Sequence, residues 1–235
     1  MKRQQKGFTL VEIAIVLVII GLLLGGILKG QELINSARVR NLADTASGIQ
    51  AAYYGFIDRY RRVPGDWNAA DAALGIGVDI TGGGDDNGRL DHTAGPWNEP
   101  NALWEQLSKA GFINGGYAGN TTEPTADGVD APLNAFNNVM TLGLTSDYLG
   151  SGGTARLHLV MGRGVPVNIK RELDVKLDDG FPETGVLRAS EPAPTEFAGP
   201  TFWGGSDATC VDATVDPAVW NITADSPDCN SVYLY

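Results

Sequence analysis

The sequence predicts an α+β protein: one long N-terminal helix, half of it fit to cross a membrane, packed against a C-terminal globular domain with a small antiparallel sheet. Three observations predict it. Residues 8–28 form a nearly unbroken apolar run of about 21 residues, enough to span the hydrocarbon of a bilayer. No proline interrupts the chain between that run and Pro64, so a helix begun there can continue. In the second half of the chain, short β-prone segments separated by Gly/Asn/Asp-rich stretches replace helical spacing.

Past the apolar run, Val39, Leu42, Ala46, Ile49, Tyr53, Phe56 and Tyr60 recur at alternating spacings of three and four, the seam of an amphipathic helix. Arg38, Arg40, Asp44, Asp58 and Arg59 fall off that seam. The expectation is one helix over residues 8–61, roughly 80 Å long at 1.5 Å per residue. Its first half contains Gly21, Gly25, Gly26 and Gly30, two Gly-x-x-x-Gly spacings that let helices approach closely in lipid. Pro64 and Gly65 stop this helix, and Asp66 is the expected cap of a short alanine-rich helix ending near Gly75.

Residues 77–91 read as loop. A helix follows over 99–111, with Pro100 in its first turn and Leu103, Trp104 and Leu107 on one face. Residues 115–132 read as a surface loop. Strands are expected over 139–144 and 155–161, joined by a turn at 150–153. In the second of these, Leu157, Leu159 and Met161 alternate with an outward His158. Ile169, Leu173 and Leu177 predict a helix over 166–177, and residues 186–189 and 231–235 complete the strands. With no repeat and no second apolar span, residues 62–235 form one domain outside the membrane.

Net charge is -11, and three of the 17 basic residues, Lys2, Arg3 and Lys6, lie in the first seven positions. The rest sets 14 basic against 28 acidic residues, a balance that repels phosphate backbones, so no nucleic-acid partner is expected. The cluster Arg59–Arg62 reads as the solvated cationic end of a helix. Basic residues ahead of an apolar segment keep the N-terminus in the cytoplasm and send the body across the inner membrane. Cys210 and Cys229 then reach an oxidising compartment and form one disulfide.

The stretch KGFTLVE, residues 6–12, carries the most specific signal. It resembles the processing site of type IV prepilins and type II secretion pseudopilins: a basic leader ending in glycine, then Phe-Thr-Leu-x-Glu, then an unbroken apolar helix. The resemblance implies a leader, residues 1–7, cleaved between Gly7 and Phe8 by a prepilin peptidase, and N-methylation of Phe8. It further implies a type IV pilin-like fold and an inner-membrane assembly platform. The processed chain would join copies of itself and related pilins in a helical filament, periplasmic or on the cell surface. Two other readings stay open: a type II secretion pseudopilin, and a membrane-anchored periplasmic binding protein or enzyme that uses the signal only for export. The segments around the PGD at 64–66, LWEQLSKAGFINGGY and LDVKLDDGFPETG also resemble bacterial pilin-like proteins of unassigned role.

Glu12 stands inside the apolar run, where a carboxylate costs about 2.5–3.5 kcal/mol on insertion scales. The resemblance supplies its purpose. Processing gives Phe8 a new α-amine, and the Glu12 carboxylate pairs with that amine on an adjacent subunit, setting the axial register.

No cofactor is required by any motif, but one loop is a candidate calcium site. Asp85, Asn87 and Asp91 follow the ligand order of a calcium loop around Gly88. Against the EF-hand pattern, Gly83 stands at the first ligand position and Ala94 at the bidentate one; Glu99 substitutes only if the loop takes a different path. Asp178, Asp179 and Glu183 form a second acidic group, expected to turn the chain. No Gly-x-Ser-x-Gly, His-Glu-x-x-His or phosphate loop occurs, so no catalytic residue is assigned. Trp67, Trp97, Trp104, Trp203 and Trp220 are candidates for a sugar platform or for the core.

Overall fold

A computed structural model describes residues 10–91, 95–146, 148–150, 155–190 and 209–235. Gly7, Phe8, Trp203 and most of the expected 150–153 turn lie outside the described residues. The elements are α1 (Leu10–Tyr60), α2 (Ala69–Ile76), α3 (Asn98–Lys109), β1 (Thr141–Thr145), β2 (Arg156–Val160), α4 (Val167–Leu177), β3 (Leu187–Ala189), β4 (Val211–Asp212), β5 (Val219–Trp220) and β6 (Ser231–Leu234). The α+β class, with a long N-terminal helix followed by a domain with a small antiparallel sheet, is thus borne out. The chain divides into two compact units, Met1–Arg38 and Val39–Tyr235, so α1 contributes to both.

In the first unit, α1 is apolar on every side and exposed, from Leu10 at 91 % to Leu28 at 66 %. In the second unit its seam is buried as spaced: Val39, Leu42, Ala46, Ile49, Tyr53 and Phe56 line the core, joined by Ala43 and Ala52. They pack with Trp104, Leu107, Met140, Leu142, Leu159 and Leu173. At about 25 cal/mol per Å² of apolar surface, burial of these large side chains is the main force holding α1 in the domain. Tyr235 adds a polar tie, its hydroxyl donating to the Ala46 carbonyl at 2.9 Å.

The main sheet runs β1-β2-β6-β3, antiparallel throughout, with Thr141 opposite Val160, Val160 opposite Val232 and Arg188 opposite Val232. The last strand in sequence is central, so the C-terminus closes the sheet. One face packs on α1 and α3. The other is covered too, by Trp97 and Tyr148 against Val160, Val232 and Leu234. That second cluster corrects the expectation for His158, which is fully buried rather than outward and meets the Tyr148 ring edge-on at 5.4 Å. The residues that cover it lie outside β2, Trp97 just ahead of α3 and Tyr148 in the β1–β2 connection, out of reach of an alternation pattern.

Three other expectations change. Asn68, not Asp66, caps α2, its side chain accepting from the Asp71 amide at 3.0 Å. Helix α3 is buried all round from Glu99 to Leu107 rather than on one face, because the 115–132 loop folds over it. Asn101 donates to the Asn120 and Thr122 carbonyls at 2.7 and 2.8 Å, holding that loop down. The two-residue strands β4 and β5 form a separate ribbon that sequence spacing does not announce. Cys210 and Cys229 form a disulfide beside that ribbon, packed with Val167, Ala189 and Trp220. For a closed loop of this size, the chain-entropy estimate is about 3 kcal/mol of stabilisation.

Candidate functional site

The N-terminal half of α1 is the first candidate. Glu12 lies in its first turn, where the helix dipole favours a carboxylate. Around it Leu10, Val11, Ile13, Ile15 and Val16 are all exposed. A Cβ built at Gly21, Gly25, Gly26 or Gly30 meets nothing within 4 Å, so this stripe is open to another helix. Lys29 and Glu32 pair at 2.7 Å where the apolar run ends. The segment is long and apolar enough to cross a membrane by length and composition. An exposed apolar surface of this extent is stable only against lipid or other helices.

The second candidate is the loop of residues 81–91, held between the turn after α1 and the start of α3. Gly65 takes a φ of 90°, and a Cβ there would strike the Glu99 carbonyl and Leu90, so glycine lets the turn lie against α3. Beside it, buried Asp66 accepts from the Asn87 and Gly88 amides, each at 2.9 Å. Asp85 accepts from the Asn87 amide at 3.2 Å. Glu99, fully buried in the first turn of α3, accepts from the Asp91 amide through Oε2 at 2.7 Å. Its Oε1 is also buried and has no hydrogen-bond partner. Asp66, Asp85 and Glu99 each bring one carboxylate oxygen within 4.8 Å of the other two.

The electrostatics of this loop are one-sided. Burial pushes the Glu99 carboxyl up to about 8, and the Asp91, Asp66 and Asp85 charges push the same way, opposed by the Asp91 amide hydrogen bond. Burial also raises Asp66, against the lowering effect of the Gly88 and Asn87 amides. Among the described residues, the ion pair nearest by sequence is Arg62 with Asp86 at 3.9 Å, and Asp86 also takes a hydrogen bond from Asn68 at 2.6 Å. None of Asp66, Asp85 and Glu99 takes part in an ion pair with a described lysine or arginine.

The sequence singled out Asp85, Asn87 and Asp91, and the structure brings a different set together. Asn87 is turned away: its Nδ2 donates to Asp91 Oδ2 at 3.3 Å and its Oδ1 accepts from the Arg89 amide at 2.8 Å. Asp85 meets Asp66 and Glu99 instead, through the alternative loop path. The second acidic group differs in kind. Asp174, Asp178 and Asp179 also approach one another. They accept from Trp220 and Gly180, from Val186 and Leu187, and from Phe181 and Thr184, and none of them has a buried oxygen left without a partner.

A third group went unnoticed in the sequence. Lys170 on α4 is fully buried, donating to Ser231 Oγ at 2.8 Å and to the Gly162 carbonyl at 3.5 Å, and burial pushes its amine down to about 7. One turn on, burial raises Asp174 to about 6, opposed by hydrogen bonds from Trp220 Nε1 at 2.6 Å and the Gly180 amide. A serine beside a neutral lysine is the chemistry of a hydrolytic dyad. Here both residues are fully buried, so the pair holds β6 against α4 and meets no substrate. The four described tryptophans, Trp67, Trp97, Trp104 and Trp220, are likewise buried and offer no sugar platform.

Comparison with known proteins bears on the first candidate. Residues 2–28 match the family model described as the prokaryotic N-terminal methylation motif. This segment is therefore a prepilin-type cleavage and methylation signal, as KGFTLVE suggests. No curated protein and no solved structure matches the chain. Together the signal and the apolar helix behind it fit a membrane-anchored protein of the prepilin type.

Proposed function

We propose that this chain is a structural subunit of a type IV pilus-like filament. It enters the inner membrane with its N-terminus in the cytoplasm, loses residues 1–7 to a prepilin peptidase, and is methylated at Phe8. It then polymerises through α1, drawn from the membrane by an assembly platform, with copies of itself or related pilins as neighbours. The observation that carries this reading is that the prepilin-type signal runs without a break into a helix whose first half is apolar and exposed on every side. Lipid covers that surface before assembly and neighbouring helices cover it afterwards.

Glu12 provides the register. In a dry filament core a carboxylate needs an opposite charge, and the α-amine of a processed neighbour supplies one at a fixed axial offset. The role is mechanical, in keeping with the structural rather than catalytic character of proteins bearing this signal. A type II secretion pseudopilus uses the same segment in a short periplasmic assembly. In cells lacking the prepilin peptidase, the chain is expected to stay in the membrane with its leader and to vanish from sheared surface fibres. Equal recovery in fibres without the peptidase would contradict the proposal. Assembly confined to the periplasm would assign the subunit to a pseudopilus.

A further inference from the structure

We infer that Asp66, Asp85 and Glu99 bind a calcium ion that fastens the 81–91 loop to the first turn of α3. Three acidic side chains alone would not carry this. The second observation is Glu99 itself, fully buried in a loop-covered site with Oε1 lacking any hydrogen-bond partner. A buried carboxylate oxygen left in that state costs several kcal/mol unless a proton or a cation neutralises it, and a calcium ion would displace that proton. Gly84 keeps the approach open, since a Cβ there would lie 2.6 Å from Oε1 and 2.7 Å from the Asp66 Cα.

The spacing suits calcium. Calcium–oxygen bonds of about 2.3–2.6 Å let one ion bridge oxygens up to roughly 5 Å apart, and the three oxygens lie within 4.8 Å of one another. All three donors are hard carboxylate oxygens, with no imidazole or thiolate among them, which excludes a zinc preference. Asp85 is exposed, so water completes the coordination shell from its side. Amide hydrogen bonds to Asp66, Asp85 and Glu99 orient the carboxylates, as outer-shell groups do around metal ligands. The ion balances charge that no described lysine or arginine balances.

The test uses the full chain in detergent micelles and is independent of filament formation. Thermal unfolding is followed in EDTA and in millimolar calcium, and terbium luminescence is excited through the tryptophans, Trp67 and Trp97 being next to Asp66 and near Glu99 in sequence. Calcium is expected to raise Tm by about 5 °C or more, as a ligand present well above its Kd does, and to quench the terbium signal by displacement. Asp85→Asn, at an exposed position, is expected to keep the EDTA Tm and weaken calcium binding at least tenfold. Glu99→Gln is expected to abolish the calcium shift. Identical wild-type melts in EDTA and calcium would overturn the site, as would a full calcium shift in Asp85→Asn. A shift with magnesium and none with calcium would overturn the assignment of the ion. If Glu99→Gln fails to fold, Asp85→Asn decides.

Discussion

Glu12→Ala is expected to leave the chain in the membrane with its body folded, and to remove it from filaments. The substitution takes a charge out of an apolar segment, so insertion becomes easier, by less than the ~2.5–3.5 kcal/mol that insertion scales give at a helix centre. The body is untouched, because Glu12 lies in the first compact unit and the core residues begin at Val39. Assembly is another matter. In the proposed filament each processed neighbour would still bring an α-amine into the dry interface, and removing one partner of a buried pair costs about 3–5 kcal/mol. That weakens every contact by at least about a hundredfold, and a polymer multiplies the loss along its length. Glu12→Gln keeps the shape without the charge and is expected to fail in the same way. Electron microscopy of sheared material, with membrane fractions blotted alongside, reads both halves of the prediction. Normal filaments from Glu12→Ala would show that the acid does not set the register.

Lys170→Met is expected to change how stability depends on pH. The Lys170 amine titrates near 7 in the fold because burial disfavours its charge, and near 10.4 when unfolded. Between those values the unfolded chain holds a proton that the folded chain lacks, so stability rises as pH rises through this window. From pH 7 to 9.5 the gain from this one group is on the order of 3 kcal/mol. Other groups keep the same pH dependence in both chains and cancel in the difference: Glu99, raised to about 8 by burial, contributes stability that is lost as pH climbs to that value, inside the same window. Asp174, raised to about 6, contributes stability at low pH that is lost as pH climbs to its folded value. Buried Tyr53 and Tyr235, held well above the usual tyrosine range, cost stability only above about pH 10, where unfolded tyrosines ionise. Methionine fills similar volume without a charge. The variant is therefore expected to exceed wild type most at pH 7, the difference shrinking by about 3 kcal/mol toward pH 9.5. Denaturant unfolding of the detergent-solubilised chains in EDTA measures this. A pH-independent difference would mean that Lys170 is not neutralised by burial.

These two residues also mark what the sequence discloses. Glu12 is legible because its setting is local: a Gly-Phe junction, an apolar run and an acid at a fixed offset. The α1 seam is legible because spacings of three and four persist over six turns, and the helices around Leu103 and Ile169 repeat that signal over shorter lengths. Lys170 follows the helix period and differs from an exposed lysine only through β6, which arrives from the far end of the chain. His158 misleads for the same reason, since alternation predicts one covered face and Trp97 and Tyr148 cover the other. The acidic loop is intermediate. Its Asp/Asn/Gly composition picks out Asp85, but Asp66 and Glu99 come from outside the loop, and only the fold brings them to it. Strands of two residues, such as β4 and β5, have no period to detect.

If processed α1 helices stack into a filament, the N-terminus of the assembled chain carries the mark of that processing. Mass spectrometry of sheared native fibres is expected to find a chain that begins at Phe8, one methyl group heavier than the unmodified sequence. A chain in those fibres that retains Met1, or is cut at any other bond, would contradict the account.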